Sequence, residues 1–144
     1  MTLPEIMRIL VDALAGPTLL ALLLAATVSV IDSGAAIGER VLGLARLAGA
    51  DPVRVEQVAR RRIERADLLA RVGPMLGLMG TLIPLGPGLA ALGQGNVALL
   101  ADAVTVAFDT TVLGLLVGVI GFVLGRLRRR WYDRLLDGME ATRA

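Results

Sequence analysis

The sequence predicts an all-α membrane protein with three transmembrane helices, and three observations carry that prediction. From Val72 to Ala101 no residue is charged, and after Asp102 a second apolar run, Ala103 to Leu124, is broken only by Asp109. Each run is long enough for a helix to cross a bilayer, which takes roughly 20 apolar residues. A further stretch, Leu19 to Ile31, is dominated by Leu, Ala and Val. Hydrophobic residues make up 56% of the 144-residue chain. Its mean hydropathy is +0.73, which belongs with membrane proteins rather than soluble ones.

The composition also excludes chemistry. There is no Cys and no His, so disulfides, thiol redox reactions, zinc sites and His-based acid–base catalysis are out of reach. No cofactor, no metal and no enzymatic activity are expected. Aromatic residues are 3% of the chain, which argues against a base-stacking nucleic-acid surface. The sequence pI near 10.3 is explained by membrane topology, because basic residues gather at cytoplasmic flanks. No nucleic-acid partner is expected.

Every basic residue is Arg. Arg8 stands alone near the start. Arg40, Arg46, Arg54, Arg60, Arg61, Arg62, Arg65 and Arg71 lie between the first and second spans. Arg126, Arg128, Arg129, Arg130, Arg134 and Arg143 follow the third, and the 93–102 turn has none. The positive-inside rule then places the N-terminus outside, with the middle segment and the C-terminus in the cytoplasm. That arrangement requires an odd number of spans.

One membrane domain, 1–144, accounts for the chain. Residues 1–16 form an amphipathic lead-in: Ile6, Ile9, Leu10, Ala13 and Leu14 recur at helical spacing. This is either the outer end of the first membrane helix or an interfacial helix before it. The first span covers about 16–37. Gly34-Ala35-Ala36-Ile37-Gly38 offers a small-residue face for close helix contact. Asp32, near its inner end, reads as a carboxylate reaching cytoplasmic water or an Arg, or else as part of an ion path. In the cytoplasmic segment, 39–71, Asp51 and Pro52 provide an N-cap and a first helical residue. Val55, Val58, Ala59, Arg62, Ile63, Ala66, Leu69 and Ala70 then recur at i, i+3/i+4 and lead into the second span. Arg60-Arg61-Arg62 reads as a solvated topology anchor, or else as a partner or lipid patch.

The second span covers about 72–92. Pro84 and Pro87 are expected to kink or end it near its outer part, because proline removes a helix donor. Gly73, Gly77 and Gly80 allow tight packing. No Gly-Lys-Ser/Thr follows these glycines, so a phosphate loop is excluded. Gly93-Gln94-Gly95-Asn96 has turn chemistry. The third span covers about 103–124, with Gly114, Gly118, Gly121 and Gly125 again small. Trp131 and Tyr132 are interfacial aromatics. Leu127, Trp131, Leu135 and Leu136 carry the helix onward into a cytoplasmic tail, 126–144.

Two motifs point to a family. Pro74-Met75-Leu76-Gly77-Leu78-Met79-Gly80-Thr81 resembles the "P-x-L-G-L-x-G-T" signature of the MotA/TolQ/ExbB proton-channel family. Ala107-Phe108-Asp109-Thr110-Thr111-Val112-Leu113-Gly114-Leu115 resembles its third-helix pattern, "A-x-x-T-x-L-G-L". Their order and spacing fit as well. The resemblance implies a homo-oligomeric ring, a pentamer, around a single-span partner of the MotB/TolR/ExbD kind. That partner brings an essential Asp, and ion flow through its protonation turns ring against partner to do mechanical work. It also implies that Thr81 and Thr111 line the path in an inner membrane. Val106 stands where the TolQ/ExbB branch has Glu, so the acidic residue does not carry over.

The residues themselves allow this chemistry. A hydroxyl both donates and accepts hydrogen bonds, so Thr81, Thr111 and Thr110 can serve either charge state of a carboxylate. Each can instead bond its own helix carbonyl. At about 100° per residue, Asp102, Thr105 and Asp109 share one face of the third span; Ala107, Thr111, Gly114 and Gly118 share another. Asp109 lies roughly 9 Å inside the outer edge at about 1.5 Å per residue. It is expected to face water or a neighbouring subunit. The alternative class is a non-conducting membrane scaffold, which needs the glycines but not the threonines. A secondary transporter would need inverted repeats, which are not evident.

The Arg distribution predicts the outcome of cysteine labelling from outside the cell. A membrane-impermeant thiol reagent should modify Asn96→Cys and leave Arg61→Cys untouched. The reverse pattern would overturn the orientation.

Overall fold

The computed structural model describes residues 2–40 and 52–143. Among the described residues the chain forms three long helices: α1 (Leu3–Gly38), α2 (Pro52–Gly93) and α3 (Val97–Arg143). Each is long and apolar enough to cross a membrane.

The amphipathic lead-in and the first span form one helix, α1. Its start is capped reciprocally. The Thr2 carbonyl accepts from the Glu5 N–H at 3.0 Å, and the Thr2 N–H donates to the Glu5 carboxylate at 2.7 Å. The cytoplasmic helix and the second span likewise form one helix, α2. Val55, Ala59, Ala66 and Leu69 are buried, as their spacing requires. The expected Asp51 N-cap lies outside the described residues.

Pro84 and Pro87 do not end α2, which continues to Gly93. With Pro74, three missing donors leave the rest of the i→i−4 ladder intact. The stop comes at the turn. Gly95 has φ +80°, the left-handed conformation open to glycine. Its N–H donates to the Leu92 carbonyl at 2.9 Å, and the Asn96 N–H to that of Ala91 at 3.0 Å. This pair of bonds closes a helix C-terminus. Asn96 then caps α3, accepting from the Leu99 N–H at 3.2 Å. So α3 begins at Val97, ahead of the expected position 103.

The helices contribute to two compact units. One joins α1 up to Ala26 with 72–117; the other joins α1 from Thr27 with α2 up to Arg71 and α3 from Gly118. In the first unit α2 and α3 meet backbone to backbone. A Cβ added at Gly114 would lie 2.6 Å from the Gly77 Cα and 2.7 Å from the Gly73 carbonyl oxygen. Only small residues permit such an approach, and it suits a bilayer, where packing rather than hydrophobic burial drives association. In the second unit, a Cβ at Gly121 would lie 2.6 Å from the Ala70 nitrogen. Gly118 is also buried. Here Ala36, Ala66 and Leu124 form one apolar cluster, and Val55, Ala59 and Tyr132 another. A Cβ added at Gly34 or Gly38 would meet nothing within 4 Å among the described residues, so no described element packs on this small-residue face of α1.

Adding a methyl at Gly114 forces overpacking, which typically costs about 1–3 kcal/mol. At Gly138 an added Cβ would meet nothing within 4 Å among the described residues, so the same change there should gain a few tenths to about 1 kcal/mol of helix propensity. Thermal unfolding followed by circular dichroism in detergent should therefore fall for Gly114→Ala and hold or rise for Gly138→Ala. Equal midpoints would contradict the close approach.

Candidate functional site

The glycine contact in the first unit sets up a polar one beside it. Thr81 follows Gly77 by one turn, and Thr111 precedes Gly114 by just under one. With the backbones this close, the two hydroxyls bond each other across α2 and α3. Thr81 Oγ1 also lies 2.9 Å from the Gly77 carbonyl and 3.4 Å from that of Ala107. Thr111 Oγ1 lies 3.0 Å from the Ala107 carbonyl.

Each hydroxyl has one proton, so the pair has two proton orders. In one, Thr111 donates to Thr81, and Thr81 donates to the Gly77 carbonyl. In the other, Thr81 donates to Thr111, and Thr111 donates to the Ala107 carbonyl. Both orders satisfy every hydroxyl proton, and no heavy atom moves between them. Sequence reasoning offered either carbonyl bonding or a role for each Thr. Each hydroxyl has a carbonyl of its own helix within reach, and the two also bond each other.

Of the other candidates, Thr110 shares the Ala107 carbonyl with this pair, and Asp109 forms no bond to it. Thr110 is buried against Gly80, where an added Cβ would sit 2.8 Å from the Thr110 Cβ. Its hydroxyl lies 3.0 Å from the Val106 and Ala107 carbonyls. Asp109 is exposed, as are Asp102 and Thr105. Thr105 donates to the Ala101 carbonyl at 2.9 Å. Asp109 has no hydrogen bond or ion pair among the described residues. Gly80 and Ile83, whose carbonyls lose their donors to Pro84 and Pro87, line a cavity of about 160 Å³ with Asp12 and Thr18.

The second unit holds a buried charge cluster that sequence reasoning missed. Arg128 is 1% exposed. Its guanidinium donates to Asp32 Oδ2 at 3.0 Å, to Glu39 Oε1 at 3.2 Å and to the Arg62 carbonyl at 3.2 Å. Arg62 pairs with the same Glu39 oxygen at 2.7 Å and donates to the Tyr132 hydroxyl at 3.2 Å. Two cations face two carboxylates, so the cluster is neutral. Burial raises the Tyr132 phenol above its ordinary pKa, against the opposing pull of Arg62. Asp32 thus takes the structural role that sequence reasoning allowed it, paired with an Arg. The signal lay in the spacing. Asp32 and Glu39 are seven residues apart, on one helical face, and Arg128 and Tyr132 are four apart.

Residues 43–141 match the MotA/TolQ/ExbB proton channel family. The chain belongs to that family. Both motifs, 74–81 and 107–115, fall inside the match, while α1 precedes it. No curated protein and no solved structure matches the chain. A MotA/TolQ/ExbB chain is a multi-pass membrane protein of channel type, in keeping with three helices that can each span a bilayer.

Removing one partner of a buried ion pair typically costs about 3–5 kcal/mol. Arg128→Met should therefore lower the unfolding midpoint sharply, because it strands Asp32. Combining it with Asp32→Leu should restore part of the loss, since Glu39 keeps Arg62. A double variant no better than the single would show that Arg128 and Asp32 are not coupled.

Proposed function

We propose that this chain is the ring subunit of an ion-driven membrane motor, conducting H⁺ or Na⁺. Copies assemble as a pentamer around a single-span partner of the MotB/TolR/ExbD kind in the cytoplasmic membrane. The partner carries the ion-binding Asp, and ion flow is coupled to mechanical work. The N-terminus lies outside and the C-terminus in the cytoplasm.

The observation that carries this reading is the Thr81–Thr111 pair. It joins the two family motifs at one point within the apolar runs. A protonated carboxyl on the partner donates to whichever hydroxyl oxygen the current proton order leaves free. An ionised carboxylate needs a donor instead. A hydroxyl supplies it by turning away from the Gly77 or Ala107 carbonyl, a bond worth about 1 kcal/mol. The pair therefore answers both charge states at small cost. Thr110 supports it through packing against Gly80. Asp109, on another face of α3, takes a separate place on the path, facing water or a neighbouring subunit. A scaffold would use the glycine contacts and have no need of the hydroxyl pair.

The test is ion flux into vesicles that contain the ring and its partner. Thr81→Val and Thr111→Val keep volume and should leave insertion and assembly intact. Flux should fall about tenfold or more, from the loss of about 1–3 kcal/mol per contact. Thr111→Ser, which keeps the hydroxyl, should retain most of it, and Thr105→Val should have little effect. Asp109→Leu should reduce flux or assembly. Unchanged flux in both valine variants would remove the path, and the scaffold reading would take its place.

A further inference from the structure

The second unit contains a groove that neither the ion path nor the buried charge cluster uses. It lies between α1 and α3 and encloses about 850 Å³. Its apolar walls include Ile37 from α1 and Leu127 from α3, both exposed. Its cationic walls are Arg40 from α1 with Arg130 and Arg134 from α3. Trp131 lies within it, with the Arg40 guanidinium 5.9 Å from its ring centre. None of the three arginines forms an ion pair among the described residues, and no carboxylate lines the groove. The acids nearest in sequence do not line the groove: Glu39 is held by Arg62 and Arg128, Asp133 lines a different groove, between α2 and α3, and Asp137 is exposed outside its walls.

The order of residues along the two helices matters most. On α1 the sequence passes from Ala36 and Ile37 to Arg40. On α3 it passes from Leu124 and Leu127 to Arg130 and Arg134. Both walls therefore change from apolar to cationic in the same chain direction, at the end of the apolar run of α3. A soluble anion would leave the apolar part of the groove unused, and a plain acyl chain would leave three guanidinium groups without a counter-charge. An amphiphile with an anionic head fits both parts, and guanidinium is the side chain best suited to phosphate oxygens. Basic pockets between membrane helices on the cytoplasmic side take such head groups.

We infer that the α1/α3 groove is a binding site for one anionic glycerophospholipid. Its phosphate is held by Arg40, Arg130 and Arg134, and its acyl chains lie along Ile37 and Leu127.

Trp131 is the only tryptophan in the chain, so its fluorescence reports on this groove alone. The full chain is reconstituted in phosphatidylcholine vesicles that contain a minor fraction of either phosphatidylglycerol or phosphatidylcholine brominated on the upper acyl carbons. Brominated phosphatidylglycerol should quench Trp131 with an apparent affinity at least about fivefold higher, the enrichment expected from a single well-placed Arg. The triple variant Arg40→Gln/Arg130→Gln/Arg134→Gln should lose that preference while keeping its helical circular dichroism. The matched variant Arg54→Gln/Arg61→Gln/Arg65→Gln, which removes equal charge outside the groove, should keep it. Millimolar inorganic phosphate should not displace the lipid. Four results would each overturn the site. They are equal quenching by the two brominated lipids, equal loss of preference in the two triple variants, displacement by free phosphate, or weak quenching by both lipids. The last would mean that a second copy of the chain fills the groove.

Discussion

The contact between Gly77 and Gly114 is the constraint on which the candidate site depends. Packed helices usually keep their axes about 8–10 Å apart, with a layer of side chains between them. Here no side chain intervenes: a Cβ at either glycine would fall 2.6–3.0 Å from the other's Cα. Only at that separation can hydroxyls one turn away reach across. With alanine or anything larger at these positions, Thr81 and Thr111 would each turn back to their own helix carbonyls. The glycines and threonines of the two motifs are therefore one device. The glycines set the distance, and the threonines use it.

The energetics follow from the same point. Inside a bilayer, hydrogen bonds between helices contribute modestly, about 0.6 kcal/mol on average, because the separated helices find other partners. The hydroxyl pair therefore adds little to stability. Close van der Waals contact along the seam stabilises it, and the pair sits there at small cost because each hydroxyl always has a carbonyl within reach. In the second unit the balance differs. Arg128 is fully buried and links side chains on α1 with the backbone of α2. Desolvating two guanidinium groups and two carboxylates costs several kcal/mol per ion, and mutual attraction offsets this only when the geometry is good. Such a cluster fixes the register of three helices more than it adds net stability.

The fold was largely legible in the sequence because its determinants are local. Apolar runs, the Arg distribution, the glycine spacing and the Gly93–Asn96 turn are each read within a few residues. The burial of Val55, Ala59, Ala66 and Leu69 followed from period alone. Two features were not legible in that way. Pro84 and Pro87 suggested a helix end, but the stop depends on a left-handed glycine at Gly95. The Arg128 cluster was hidden for a different reason. Arg128 sits among Arg126, Arg129 and Arg130, and a topology rule treats all four alike. Which one turns inward is decided by carboxylates on α1, almost a hundred residues away. Of the expected stripe, Trp131, Leu135 and Leu136 pack on the apolar clusters while Leu127 is exposed, and Tyr132 is buried beside them. The motifs marked Thr81 and Thr111 as candidate residues, but that they touch is a property of the glycine seam.

Asp109 bears on what the single chain lacks. Its carboxylate interrupts an apolar run, lies on an exposed face and has no partner among the described residues. A charge at mid-membrane depth costs about 2.5–3.5 kcal/mol on insertion scales, and less off-centre. Nothing described in the chain offsets that cost, although the same chain neutralises its buried carboxylates on Asp32 and Glu39 fully. Gly34 and Gly38 make a parallel point, as a close-packing face with nothing packed on it among the described residues. Under the ring reading proposed above, both features find their counterpart outside the protomer. A neighbouring helix can approach Gly34 and Gly38 as closely as α3 approaches Gly77. Water or a polar group of that neighbour can meet Asp109. A scaffold oligomer would supply the same neighbour, so Asp109 and the glycines both argue for assembly, and the Thr81–Thr111 hydroxyl pair is the feature for which a scaffold has no need.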